Sequence, residues 1–176
     1  MSSRSPGTPR IVLVGPMGVG KTTVGELLAD RLGCTFRDTD ADIVAGEGRE
    51  IADIFLEEGE PHFRELERKA VREALGGHDG VLALGGGAVL DDGTRGLLAE
   101  HTVVYLSMDV DEAVKRTGLN AARPLLMINP RKQWRELMEA RRPLYQEVAR
   151  VVVATDGRAP EEVAEAVLEA LELKQA

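Results

Sequence analysis

The stretch Gly15-Pro16-Met17-Gly18-Val19-Gly20-Lys21-Thr22 limits what this chain can be more than any other. It follows a short apolar run, Ile11–Val14, and opens a helical pattern that reaches about Leu32. This is G-x-x-x-x-G-K-[ST] in the setting it needs: strand, glycine-rich turn, helix. The glycines permit positive φ and let backbone N–H groups point at phosphate oxygens. The helix starting near Lys21 adds the positive end of its dipole. Lys21 is expected to reach the β- and γ-phosphates, and the Thr22 hydroxyl to ligate Mg²⁺. The expected nucleotide contacts are therefore Gly15, Met17, Gly18, Val19, Gly20, Lys21, Thr22 and Thr23. A plain glycine-rich turn between strand and helix is the alternative, and the context disfavours it.

The remaining elements place that loop. Continuous Val- and Leu-rich runs at Ile11–Val14, Thr35–Asp38, Val81–Leu84, Val103–Leu106 and Val151–Ala154 read as parallel strands buried on both faces. Helical patterns lie between them at Lys21–Leu32, Ala41–Glu57 in two pieces, Pro61–Leu75, Gly93–Glu100, Val110–Arg116, Arg131–Tyr145 and Pro160–Leu173. Alternating β and α elements predict an α/β sandwich with ligands at the C-terminal ends of the strands. The 176 residues suit one domain, spanning 10–176, behind a Ser/Pro/Gly-rich lead-in at 1–9 that is expected to be disordered.

Net charge −8 argues against a nucleic-acid-binding surface. One cysteine, Cys34, excludes an internal disulfide and suits a reducing cytosol. No run is long enough to span a membrane, and the N-terminus carries no hydrophobic signal segment. No exposed apolar heptad is legible, so a monomer is expected.

Asp38-Thr39-Asp40 ends the second strand on the ligand side. In an extended chain these two carboxylates project the same way. One acid near Mg²⁺ and one near an acceptor hydroxyl suits phosphoryl transfer; a helix N-cap is the other reading of the same residues. Phe63, Leu66 and Ala70 share an inward helical face, and Glu67 is placed to orient Arg64 by an ion pair. Gly85-Gly86-Gly87 ends the third strand, where bare backbone fits close approach to a ligand. Many phosphate-loop proteins hold Mg²⁺ with an acid at the end of this strand. Here Leu84 leads straight into glycine, which strengthens the case for Asp38.

Taken in order, Gly15–Thr22, Asp38-x-Asp40, Phe63-Arg64-x-x-Glu67, Gly85–Gly87, Arg123-Pro124-Leu125 and Arg141-x-Pro143-Leu144-Tyr145 resemble the shikimate kinases from about Arg10 onward. The resemblance implies a five-stranded sheet of order 2-3-1-4-5 and transfer of the γ-phosphoryl of ATP to the 3-hydroxyl of shikimate. It implies that Asp40 holds the acceptor hydroxyls and handles the proton, and that Arg64 and Arg141 clamp the carboxylate. Phe63, Glu67 and Gly85–Gly87 would complete the acceptor site, and Asp38 would reach Mg²⁺ through water. The segment 117–131 looks like the family's lid, with Arg123 closing on the phosphates. Arg116 would pack on adenine, with Arg158 and Pro160 as further base contacts. A gluconate or nucleoside monophosphate kinase is the competing reading. A GTPase-type switch lacks its Asn-Lys-x-Asp reader, and the one Asp-x-x-Gly match, Asp30–Gly33, is badly placed.

Overall fold

The computed structural model describes residues 8–109, 111–113 and 130–173. Among them five parallel strands, β1 (Ile11–Val14), β2 (Thr35–Asp38), β3 (Gly80–Ala83), β4 (Val103–Ser107) and β5 (Val151–Ala154), form one sheet of order β2-β3-β1-β4-β5. The helices are α1 (Lys21–Leu32), α2 (Thr39–Glu47), α3 (Ile51–Glu58), α4 (Glu60–Gly77), α5 (Asp92–Leu98), α6 (Pro130–Val148) and α7 (Pro160–Ala170). A short 3₁₀ turn at Ala88–Leu90 precedes α5.

Strand alternation divides the core in two. Ile11, Leu13, Val81, Ala83, Val104 and Leu106 face a cluster closed by α1, α7 and the Trp134–Met138 face of α6. Their neighbours Val12, Val14, Leu82, Leu84, Val103 and Tyr105 face the opposite cluster, closed by α4, α5 and the Tyr145–Val148 end of α6. Both sides of a strand are therefore apolar, which is why the runs read as continuous rather than alternating. Trp134 packs in the first of these clusters. A third, small cluster of Ile43, Ile54 and Phe63 joins α2, α3 and α4, with Leu66 and Ala70 against it. Truncating a side chain as buried as Ile54 costs about 2–5 kcal/mol. That cluster is the platform beneath Arg64.

Most expected elements stand within a few residues of their predicted ends. α2 begins at Thr39, two residues early, because Asp38 caps it. α7 ends at Ala170, short of Leu173. Of the expected helix Val110–Arg116, the described residues 111–113 are helical, and its last residue Arg116 lies outside the described residues. Arg123 and lid positions 117–129 also lie outside them. No helix among the described residues is long and apolar enough to cross a membrane.

Candidate active site

Because every strand is parallel, the loops after β1, β2 and β3 open on one edge of the sheet. The loop after β1 turns through Gly15, Gly18 and Gly20, all with positive φ (150°, 81° and 99°). Gly20 caps α1 with no side-chain hydrogen bond, so the first-turn N–H groups face the site without a side-chain acceptor. Val19 lies in the core and donates its N–H to the Pro16 carbonyl at 3.3 Å, so its side chain supports the loop from beneath. Met17, by contrast, is exposed on the rim.

Lys21 differs from its expected pose. Its Nζ donates to the carbonyls of Gly15 (2.7 Å) and Pro16 (2.9 Å), folding over its own loop. Burial of the ammonium pulls its pKa down to about 8, with Asp40 and Asp38 pulling the other way and Arg141 adding to the fall. Phosphate oxygens would compete with those two carbonyls for the same protons.

Asp38 and Asp40 are not disposed as an extended strand would place them. They do not share one face of an extended strand: Asp38 ends β2 and caps α2, while Asp40 already lies in the first helical turn. One carboxylate caps the helix and also meets the threonine of the phosphate loop. Asp38 Oδ1 accepts the Asp40 N–H at 2.8 Å, and Oδ2 accepts the Thr22 hydroxyl at 3.1 Å. Capping by the preceding acid is what swings Asp40 toward the glycine loop.

Asp40 Oδ1 is buried and has no hydrogen-bond partner among the described residues. Its pKa is raised to about 6, first by burial, then by the negative charges of Asp38 and Glu67, against relief from Lys21 and Arg64. A group near that value is ionised at neutral pH and still able to take a proton.

Gly85 and Gly87 have steric reasons to lack a side chain, and Gly86 lies against the phosphate loop. A Cβ on Gly85 would stand 2.5 Å from Asp40 Oδ1 and 2.9 Å from Glu67 Oε2. On Gly86 it would make ordinary contact with Met17 N and Gly15 O at 3.4 and 3.5 Å, with Arg141 Nη1 at 3.8 Å. On Gly87 it would strike the Arg64 guanidinium. The run is thus where the nucleotide loop, the two acids and both arginines meet. The Gly85 N–H is further tied to the buried Thr39 hydroxyl at 3.3 Å.

Arg64 is held on three sides. Glu67 binds its Nη1 at 2.8 Å, Glu60 its Nη2 at 3.1 Å, and the rings of Phe63 and Phe55 lie 5.3 and 6.0 Å from its Cζ. Phe63 is therefore a floor for the guanidinium, buried rather than open to the site. Glu67 is only 4% exposed, and burial raises its pKa even though Arg64 and Arg141 favour its charged form. Arg141, on α6, has a buried Nε without a partner among the described residues. Two unmatched buried polar atoms, on Asp40 and Arg141, thus belong to residues that meet at one glycine run.

At the other end of the sheet edge, Arg158 is exposed and donates to the Ala154 carbonyl at 3.3 Å, while Pro160 opens α7. Neither reaches the cluster of Asp40 and the arginines by any described contact. Sequence reasoning gave no role to Tyr145, whose hydroxyl donates to the Gly86 carbonyl at 2.6 Å. Its spacing of four from Arg141 on a helix was the available signal.

The chain closely resembles known proteins in sequence and fold. Residues 17–172 match the family model described as shikimate kinase. A shikimate kinase of Streptomyces avermitilis is 77% identical over 168 residues, covering 96% of this chain and 98% of the relative. One from Streptomyces coelicolor is 73% identical with the same coverage. Among solved structures, the shikimate kinase from Acinetobacter baumannii in complex with shikimate superposes with a TM-score of 0.88 at 41% identity, over 94% of this chain and 93% of that one.

Proposed function

The chain belongs to the shikimate kinase family, and from that membership we infer that it moves the γ-phosphoryl group of ATP onto the 3-hydroxyl of shikimate. The products are shikimate 3-phosphate and ADP, a step of aromatic amino acid biosynthesis. One observation carries the assignment of residues. Asp40, Arg64 and Arg141 converge on Gly85–Gly87, directly beside the phosphate loop.

The acceptor is small, with one carboxylate and three hydroxyls, and the cluster offers a matching group for each. Arg64 and Arg141 take the carboxylate, since planar guanidinium forks suit its two oxygens. Glu67 and Glu60 hold the Arg64 fork, and Phe63 supports its face. Gly85–Gly87 let the ring lie against bare backbone. Asp40 orients the 3-hydroxyl and accepts its proton as the new P–O bond forms and the bond to the β-phosphate oxygen breaks. A carboxylate with a pKa near 6 suits that task better than one near 4.

On the nucleotide side, the α1 N-terminus and the loop N–H groups receive the phosphates. Lys21 exchanges its bonds to Gly15 and Pro16 for phosphate oxygens, which restores full charge to an ammonium depressed to about 8. Thr22 Oγ1 and Asp38 Oδ2, 3.1 Å apart, form a pair of hard oxygen donors that fits Mg²⁺. Bound with ATP, the ion would neutralise charge on the β- and γ-phosphate oxygens. We assign Arg123 to the transferring phosphoryl group, and Arg116, Arg158 and Pro160 to the adenine side, on family resemblance. A cytosolic monomer completes the proposal.

The test is ADP release by the purified chain with ATP, Mg²⁺ and a panel of shikimate, gluconate and nucleoside monophosphates. Turnover restricted to shikimate is expected. Turnover with gluconate or a nucleotide and none with shikimate overturns the reading.

A further inference from the structure

Tyr145 joins two halves of the acceptor site that come from different elements. Arg141 and Tyr145 are four residues apart and share a face of α6. The Tyr145 hydroxyl donates to the Gly86 carbonyl at 2.6 Å, and the positive charge of Arg141 one turn away acts on it, opposing the rise in pKa that burial causes. One direct O–H···O=C bond therefore ties α6, a turn beyond the Arg141 arm, to the glycine backbone. A bond this short narrows the geometry of both partners. Burial pushes the Tyr145 hydroxyl up to about 12, so it keeps its proton and its donor role throughout the working pH range.

The ring itself is placed by other forces. It is 2% exposed and stacks on Tyr105 of β4, with centroids 4.9 Å apart and planes at 27°. The chain's only two tyrosines thus form one pair. Their hydroxyls have different surroundings: that of Tyr105 feels the charge of Arg142, an exposed residue, whereas that of Tyr145 bonds the Gly86 carbonyl. At its other end the glycine run is already anchored to α2 through Thr39. Without Tyr145, no described hydrogen bond would fix Gly86 relative to α6.

We propose that Tyr145 is a positioning residue for the acceptor. Its hydroxyl sets the spacing between the Arg141 guanidinium and the Gly85–Gly87 backbone. This rests on shikimate being the acceptor, bound by Arg141 and the glycine run.

Tyr145→Phe removes the hydroxyl and keeps the stacked ring; Tyr105→Phe does the same to its neighbour. Both are measured in the full chain beside the parent, for kcat, for KM of each substrate and for Tm. Loss of one buried hydrogen bond predicts a rise of roughly 3- to 10-fold in KM for shikimate with Tyr145→Phe. KM for ATP and kcat are expected to stay within about twofold, and Tyr105→Phe to leave KM for shikimate unchanged. A Tyr145→Phe enzyme with parental KM for shikimate, whatever its Tm, overturns the proposal. Equal rises in both KM values, or equal effects of the two variants, overturn it too, since either marks a general packing defect. A parent that turns shikimate over while Tyr145→Phe is indistinguishable from it removes this inference alone. A parent that ignores shikimate removes the acceptor reading and this inference with it.

Discussion

Replacing Gly87 with alanine moves one arm of the carboxylate clamp without deleting any charged group. Gly87 has φ −99° and ψ 2°, a conformation open to alanine. The added Cβ lands on the Arg64 guanidinium, 2.7 Å from Nη2 and 2.8 Å from Cζ, where ordinary contact begins near 3.4 Å. Arg64 is a long side chain whose far end can yield, so the chain should still fold. Restricting the unfolded chain contributes roughly 0.4–1 kcal/mol in favour of alanine, against a loosened Arg64–Glu67 pair. Tm is therefore expected within a few degrees of the parent. The guanidinium must shift by about 0.6–1 Å, and Phe63, Glu60 and Glu67 restrict where it can go. Losing a well-placed charge-assisted bond to the acceptor costs about 1.5–3 kcal/mol, or roughly 10- to 150-fold in affinity. Calorimetric titration of Gly87→Ala with shikimate, and separately with ATP, reads this out: weak shikimate binding and unchanged ATP binding are expected. Parental affinity for shikimate would refute the placement of Arg64 as a clamp, and a collapse in Tm would refute the claim that only a side-chain end is displaced.

Asp40 should govern the acid limb of activity. Because the base must be ionised, kcat/KM should fall about tenfold per pH unit below about 6, and Asp40→Asn should lose most turnover at every pH. The same raised pKa costs stability: between about pH 4 and 6 the folded chain holds a proton that the unfolded chain has released, so stability falls as pH rises through that window. Asp40→Asn is thus expected to gain on the order of 2 kcal/mol at pH 7.5 and little below pH 4, read by urea melts; an equal effect at both pH values would count against it. Asp38→Asn separates the two jobs of that residue, since asparagine caps a helix as well as aspartate does. Tm should hold while half-saturating Mg²⁺ rises roughly tenfold; an unchanged Mg²⁺ requirement removes Asp38 from the metal site.

Backbone architecture was legible because its signals are local. Ile11–Val14 and Val103–Leu106 are apolar at every position, as strands must be when α1 and α7 cover one face and α4 to α6 the other. The phosphate loop was legible because a lysine and threonine after spaced glycines leave few other folds. Glu67 was readable from its spacing to Arg64 on one helix. Asp38 and Asp40 were picked for the right neighbourhood on the wrong geometry, because an N-cap at the end of a strand changes the direction of every residue after it. Two contacts had no sequence signal of this kind. Lys21 folds onto its own loop's carbonyls, a pose fixed by the three-dimensional turn. Tyr145 meets Gly86 across 59 positions of sequence, a contact visible only once α6 packs over the glycine run.

The central claim is that this site carries phosphate to one hydroxyl of one hydroxy-carboxylate. Phosphorus-31 NMR of the chain with ATP, Mg²⁺ and shikimate tests it most directly. A new phosphomonoester signal coupled to the proton on carbon 3, growing in step with ADP, is expected. ADP accumulating with inorganic phosphate alone, or a phosphoester on another hydroxyl, would contradict it.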